Sequence, residues 1–323
     1  MPFRLRHSVI LAVLLVSVSL VAAASPANSK LLALVPEGAQ IVAGIEDPHN
    51  PTSKGRLLLV THSSNLDYQD WVALTGVDPD RETDEVIEVA ASSAAGELHE
   101  HLLLVAGHFD RGHIFRAALA NGASETKYRG QDLLIVRPFA REGQEISEPR
   151  WMAILYDHTT IFGTPELVRQ ALNRYLDKSV PDPQLLERLR QLHPDVDSWN
   201  VLVMSAPMLA RHVSPGQLHA PWTHILDGAD ELTVGIHYAS PDRIDFAVHA
   251  VSDRYASSLA GLLGEPRIVR VDLPASMRLR LQNLSVENSR VQGSLLVPGK
   301  QFDIWLASFN AQRSSDSNPQ PRP

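Results

Sequence analysis

Histidine carries the most accessible chemistry in this chain. There are 14 in 323 residues, and several fall at strand spacing, where alternate side chains share a face. His99 and His101 form one such pair. Further on, Leu232, Val234, Ile236 and Tyr238 alternate with small or polar residues. Ile244, Phe246, Val248 and Ala250 do the same after Ala239-Ser240-Pro241-Asp242-Arg243. That pattern predicts an antiparallel hairpin with one buried face. Its turn sets Tyr238 opposite Ile244 and therefore His237 opposite Asp245, with His249 two positions beyond. An imidazole beside a carboxylate and a second imidazole is how a zinc or iron site begins, with the carboxylate as a ligand or as the group that orients the ring. One reading is therefore a metal-binding protein or metal-dependent hydrolase using His237, His249 and His108.

A plainer reading of the same residues is stronger. His237, Asp245 and His249 lie on the hairpin face opposite Ile236, Phe246 and Val248, which points them to solvent or to the other half of the chain. A cross-strand His and Asp there is a surface pair worth a few tenths of a kcal/mol. His99 and His101 stand beside Glu97 and Glu100 at a turn or edge, and His99-Glu100-His101 lacks the H-E-x-x-H spacing that puts two imidazoles on one helix face. No metal ligand, cofactor site or catalytic residue is assigned on this basis.

Nucleophile motifs are no stronger. G-x-S-x-G is absent, and Ser124-Glu125-Thr126-Lys127 matches S-x-x-K without the S-D-N or K-T-G that would accompany it. The glycine-rich cradles for phosphates and dinucleotides are missing too.

The elements that would position these residues show a repetition. Thr83 to Ala120 and Ala229 to Leu263 each open on Asp-Glu, run through two strands around a small or polar turn, and meet Asp-Arg at a helix start. The pairs are Asp84-Glu85 with Asp230-Glu231, and Asp110-Arg111 with Asp253-Arg254. Each helix-start aspartate is expected to cap its helix. The first copy departs in one respect: Ile87, Val89 and Ala91 form its apolar face, one residue out of step, and one step turns every side chain over. Its Gly96 to His101 turn differs from the second copy, as does the His237, Asp245, His249 face, so those are the places to search for a site.

The echo extends along the chain. Ser29 to Leu34 leads through Val35-Pro36 to a strand at Gln40 to Ile45, and Leu185 to Leu192 leads through His193-Pro194 to a strand at Trp199 to Met204. After Asp47 to Pro51, a rigid loop, come an apolar run at Arg56 to Thr61 and a helix at Leu66 to Leu74. A hairpin at Trp151 to Gly163 precedes a helix opened by Thr164-Pro165-Glu166, with Val168, Ala171, Leu172 and Tyr175 on one stripe. The second part closes similarly, through Leu281, Leu284 and Val286, a turn at Glu287-Asn288-Ser289, and a final helix carrying Phe302, Trp305, Leu306 and Phe309. Gly163-Thr164 aligns with Gly293-Ser294. The expectation is an α+β protein of two related halves, each an antiparallel sheet with helices packed on one face. The halves meet through sheet faces such as Leu102 to Val105.

Composition frames the rest. Met1 to Ala24 carries Arg4, Arg6 and His7, then an apolar run, then Ala22-Ala23-Ala24, the form of a secretory signal peptide cleaved after Ala24. Its run from Ser8 is at the short edge of a membrane span. The predicted organisation is signal peptide 1–24, first half 25–176, linker 177–183, second half 184–311 and disordered tail 312–323, with a surface loop at His212 to Trp222. Removing residues 1–24 takes away two arginines and no acid, which moves the formal charge from −8 to −10. That balance argues against nucleic acid as a partner. Cysteine is absent, which excludes disulfides, thiolate metal sites, a cysteine nucleophile and a lipidated cysteine. The reading is an exported protein of the bacterial envelope, periplasmic or extracellular. It is non-catalytic, with no cofactor and no stable membrane span after cleavage, and binds an unidentified protein or small-molecule partner.

Overall fold

The structure, a computed structural model, describes residues 25–46, 65–92, 98–137, 149–156, 158–203, 228–239, 241–264 and 280–297. The expected signal segment 1–24, the run 56–61, the expected loops 47–51 and 212–222, Glu97, the expected helix carrying Phe302 to Phe309 and the expected tail 312–323 lie outside them.

The chain is mixed α+β around one 12-stranded antiparallel sheet. Its strands are β1 (Ile41–Glu46), β2 (Thr83–Ser92), β3 (Leu98–Gly107), β4 (Ser124–Tyr128), β5 (Gln131–Val136), β6 (Arg150–Leu155), β7 (Thr159–Gly163), β8 (Ser198–Val203), β9 (Ala229–His237), β10 (Asp242–Ala250), β11 (Arg280–Glu287) and β12 (Arg290–Val297). Their spatial order is β11-β12-β10-β9-β8-β1-β2-β3-β7-β6-β5-β4. The helices are α1 (Asn65–Thr75), α2 (Pro79–Glu82), α3 (Arg111–Ala120), α4 (Pro165–Leu176), α5 (Pro183–Leu189) and α6 (Asp253–Gly264), with 3₁₀ turns at Pro26–Asn28 and Lys30–Leu34.

Two expectations change here. There is one sheet instead of two, because β1 and β8 pair edge to edge, Val42 opposite Val201. Helices also cover both of its faces. On the front face, Val42, Ile87, Val89, Leu102, Leu104, Ile161 and Ala153 pack under the 3₁₀ turn at Lys30–Leu34, α4 and α5. On the back, Ile45, Val86, Leu103, Val105, Met152 and Phe162 pack under α1 and α3. Leu102 to Val105 is thus a doubly buried strand, and its run of unbroken apolar residues reflects cover on both sides, not an interface between sheets. The same cover removes the phase conflict in β2, where Val86, Ile87, Glu88 and Val89 are all buried. Beyond β8 a smaller back-face core joins Val248, Ala250 and Val291 to Ala256 and Leu259 of α6.

Local chemistry explains the helix ends. Asp110 accepts from the His113 amide at 2.9 Å, a cap worth about 1 kcal/mol. Asp253 does not cap; Ser252 Oγ accepts from the Tyr255 amide at 3.2 Å, and the Asp253 carboxylate accepts from the Ser289 hydroxyl. Thr164 makes no side-chain cap, and its hydroxyl instead donates to the His101 carbonyl at 3.4 Å. The seam of the sheet is tight: a Cβ at Gly44 would stand 2.4 Å from the ring of Trp199, its cross-strand neighbour, so only glycine lets the fully buried indole lie flat there.

Candidate functional site

Rows of paired residues on the front face show what the sheet brings together. One row runs Glu85 on β2, Glu46 on β1, Asp197 just before β8, His237 on β9 and Arg243 on β10. Four strands and the segment before β8 thus deliver three carboxylates, an imidazole and a guanidinium to one row of the sheet. The next row contributes Asp245, and Asp195 and His193 reach in from the turn after α5.

Arg243 is the centre of its end of the row. Its Nε lies 3.0 Å from Asp245 Oδ2, its Nη1 lies 3.3 Å from Asp195 Oδ2, and its Nη2 also pairs with Asp195. His193 Nδ1 shares the Asp195 carboxylate, and Ser294 Oγ donates to Asp245 at 2.7 Å. Burial acts to raise the Asp195 pKa, but the hydrogen bonds from Arg243 and His193 outweigh it and hold the carboxyl below its ordinary value. Arg243 responds in the opposite direction: burial lowers its pKa, and the two aspartates more than restore it.

The other end is under-neutralised. Glu46 is pushed up to about 7, first by burial and then by the negative charges of Glu85 and Asp197. Glu85 is raised by burial, against a hydrogen bond from Ser29 that works to lower it. His237 Nδ1 is 3.1 Å from Asp197 Oδ2 but is not aligned for a hydrogen bond. Asp197 instead accepts from the Tyr238 amide at 2.6 Å.

The histidines singled out in the sequence do not converge. β9 and β10 pair with Ile236 opposite Ile244, so His237 faces Arg243, not Asp245, and Asp245 faces Gly235. The tip of the turn falls one residue earlier than the sequence pattern suggested, which shifts the register by two and keeps the face. His249 faces Glu231, six residues along β10 from the partner of His237, or about 20 Å at the rise of a strand. His249 Nδ1 is 2.7 Å from Asp230 Oδ1. His108 lies 3.5 Å from Asp84 and edge-on to His158. His101 is half-buried in β3. His99 is in β3 as well, its side chain outside the described residues. Among the described residues no three His, Cys, Asp or Glu side chains are grouped to hold a metal ion, and no helix is long and apolar enough to cross a membrane.

The sequence offered little notice of Glu46, Glu85, Asp195, Asp197 or Arg243. They sit at strand ends and turns, and only pairing across four strands makes them neighbours. What the assembly offers chemically is charge and hydrogen bonds: the Asp245 carboxylate that accepts from Ser294 is itself held by Arg243. Beside it the front face of β10 and β12 opens into two adjoining depressions of about 300 and 330 Å³, which share Gln292. Gln191, His193, Asp245, Asn283 and Ser294 line the larger. No protein-family model, curated protein or solved structure matches the chain.

Proposed function

We propose that this is an exported, non-catalytic binding protein, built of two related halves, that holds a polar ligand on the front face of β10 and β12. The halves are residues 25–176 and 184–311, joined by 177–183. The strand orders support this, β1-β2-β3-β7-β6 on one side of the seam and β8-β9-β10-β12-β11 on the other. Register supports it independently. Placing Asp84 on Asp230 and Asp110 on Asp253 carries the pair Val86 and Val105 onto Leu232 and Val248, which are themselves paired. In both parts a helix follows the third strand onto the back face, and a short helix before the first strand packs at the front. Tyr156 and Asn288, in the equivalent turns, both take positive φ, 51° and 48°.

One observation carries the functional reading. Leu102 pairs with Gly163, Leu104 with Ile161 and Ile161 with Ala153, an apolar patch sealed under α4. The equivalent pairs are Asp245 with Ser294, Ala247 with Gln292 and Gln292 with Ser285. Two cross-strand rows of a helix-packing surface are largely polar where the depressions open, and such hydrogen-bonding groups suit an oxygen-rich ligand. The cleft is on one sheet face and not between the halves.

A thermal-shift panel of small saccharides and short peptides, each in neutral and in acidic form, tests this on mature protein. At least one compound is expected to raise the melting temperature of wild type and to do so less in Gln292→Ala and Ser294→Ala. No shift across the panel, or equal shifts in the variants, would end the reading. Export has its own check: the mature N-terminus should be Ser25.

A further inference from the structure

Building on that reading of the front face, we infer that its end nearest the β11–β12 turn is an oxyanion subsite, in which Arg290 and His249 take a carboxylate or phosphate group of the ligand. Arg290 on β12 stands between His249 on β10 and Glu287 on β11 in the strand register. With the Gln191 carboxamide turned to present its oxygen, Nη1 and Nη2 of Arg290 are 3.2 and 3.1 Å from it. Among the described residues no carboxylate lies within 4.0 Å of this guanidinium. A neutral amide satisfies donors without cancelling charge. The guanidinium therefore meets the 300 Å³ depression as a net cation, with His249, Asn288 and Gln292 lining the same space.

His249 is already oriented. Asp230 Oδ1 at 2.7 Å takes the Nδ1 proton, and Nε2, which has no hydrogen-bond partner among the described residues, can hold an oxyanion only as the N–H of the imidazolium ring. Its cross-strand neighbour Glu231 is held by Arg188 at 2.8 Å, so that carboxylate is engaged elsewhere. Glu287 is the opposing charge, on the rim of the depression and not in an ion pair with Arg290. The fork of a guanidinium matches two oxygens of one anionic group, and the Asn288 and Gln292 amides can add donors. A cation, by contrast, would find only Glu287 unengaged. The equivalents in the first half are Ala106 for His249, Thr159 for Arg290 and Leu155 for Glu287, so this charge set belongs to the second half alone.

The test is an NMR titration of the mature chain with inorganic phosphate and, separately, with acetate, at low ionic strength where screening is least. Saturable shifts are expected at the His249 ring nitrogens and at the amides of 288–292, and the anion that saturates first identifies the ligand group. Arg290→Gln should weaken binding at least about tenfold, the loss of one charge-assisted pair. Arg290→Lys should weaken it less, and Glu287→Gln should tighten it. No saturable shift with either anion, an unchanged curve in Arg290→Gln, or weaker binding in Glu287→Gln would overturn the subsite. Panel compounds that bind without moving His249 and Arg290 would remove the subsite and leave the face. Phosphate or acetate binding here with no hit in the panel would keep the subsite and remove the wider reading.

Discussion

Arg243 shows how single residues set the energetics of the front face. It neutralises Asp195 and Asp245 in a partly dry setting, so truncation would leave two half-buried carboxylates facing each other. Arg243→Ala is expected to destabilise by about 2–4 kcal/mol, at the lower end if water reaches Asp195. Urea unfolding checks this, and a loss below about 0.5 kcal/mol, typical of an exposed surface change, would contradict it. At Gly44 the constraint is steric. Gly44→Ala pushes a methyl into the Trp199 ring and should cost about 1–3 kcal/mol, against no loss at Gly261 in α6, where the backbone is helical and a Cβ meets nothing. The sequence marks neither residue, because a glycine in a strand and an arginine after a turn gain meaning only from what pairs beside them.

At the scale of elements, the β1–β2–β8 seam carries a titrating carboxyl. Glu46 ionises at about 7 in the folded protein and near 4.5 when unfolded. The folded chain therefore binds its proton more tightly. That contribution is fully present below 4.5 and is lost as pH rises through about 7. Compared with Glu46→Gln, wild type should lose stability steadily over this window, read as melting temperature against pH, and parallel curves would show that the charge is not felt at the seam. Much of the element list was legible from pattern and punctuation: the strand before Asp47, both closing hairpins, the capped helix at Asp110 and the Pro-led helix at Pro165. Register was not. The hairpin after Asp230 differed by two in register because its Pro-bearing turn can place its tip at either of two adjacent residues, and β2 looked out of phase because a strand buried on both faces has no single apolar side.

For the molecule as a whole, the sequence suggests repetition, which is part of the proposal, but not how the parts join. An edge-to-edge seam leaves no trace in hydropathy: β1 and β8 read as ordinary buried strands whether they pair with each other or close separate sheets. The candidate site stayed hidden for the same reason. Asp245 and Ser294 belong to strands nearly fifty residues apart, and their polarity becomes informative only when Leu102 and Gly163 are seen in the matching places under α4. The central claim is that one face of a repeated unit was converted from helix cover to ligand site. An experimental structure of the mature protein tests it most directly. The account predicts that β1-β2-β3-β7-β6 superposes on β8-β9-β10-β12-β11, with Asp245, Gln292 and Ser294 falling on Leu102, Ile161 and Gly163 and no helix packed over them. A different strand order in the second part, or those three side chains sealed beneath a packed helix, would contradict it.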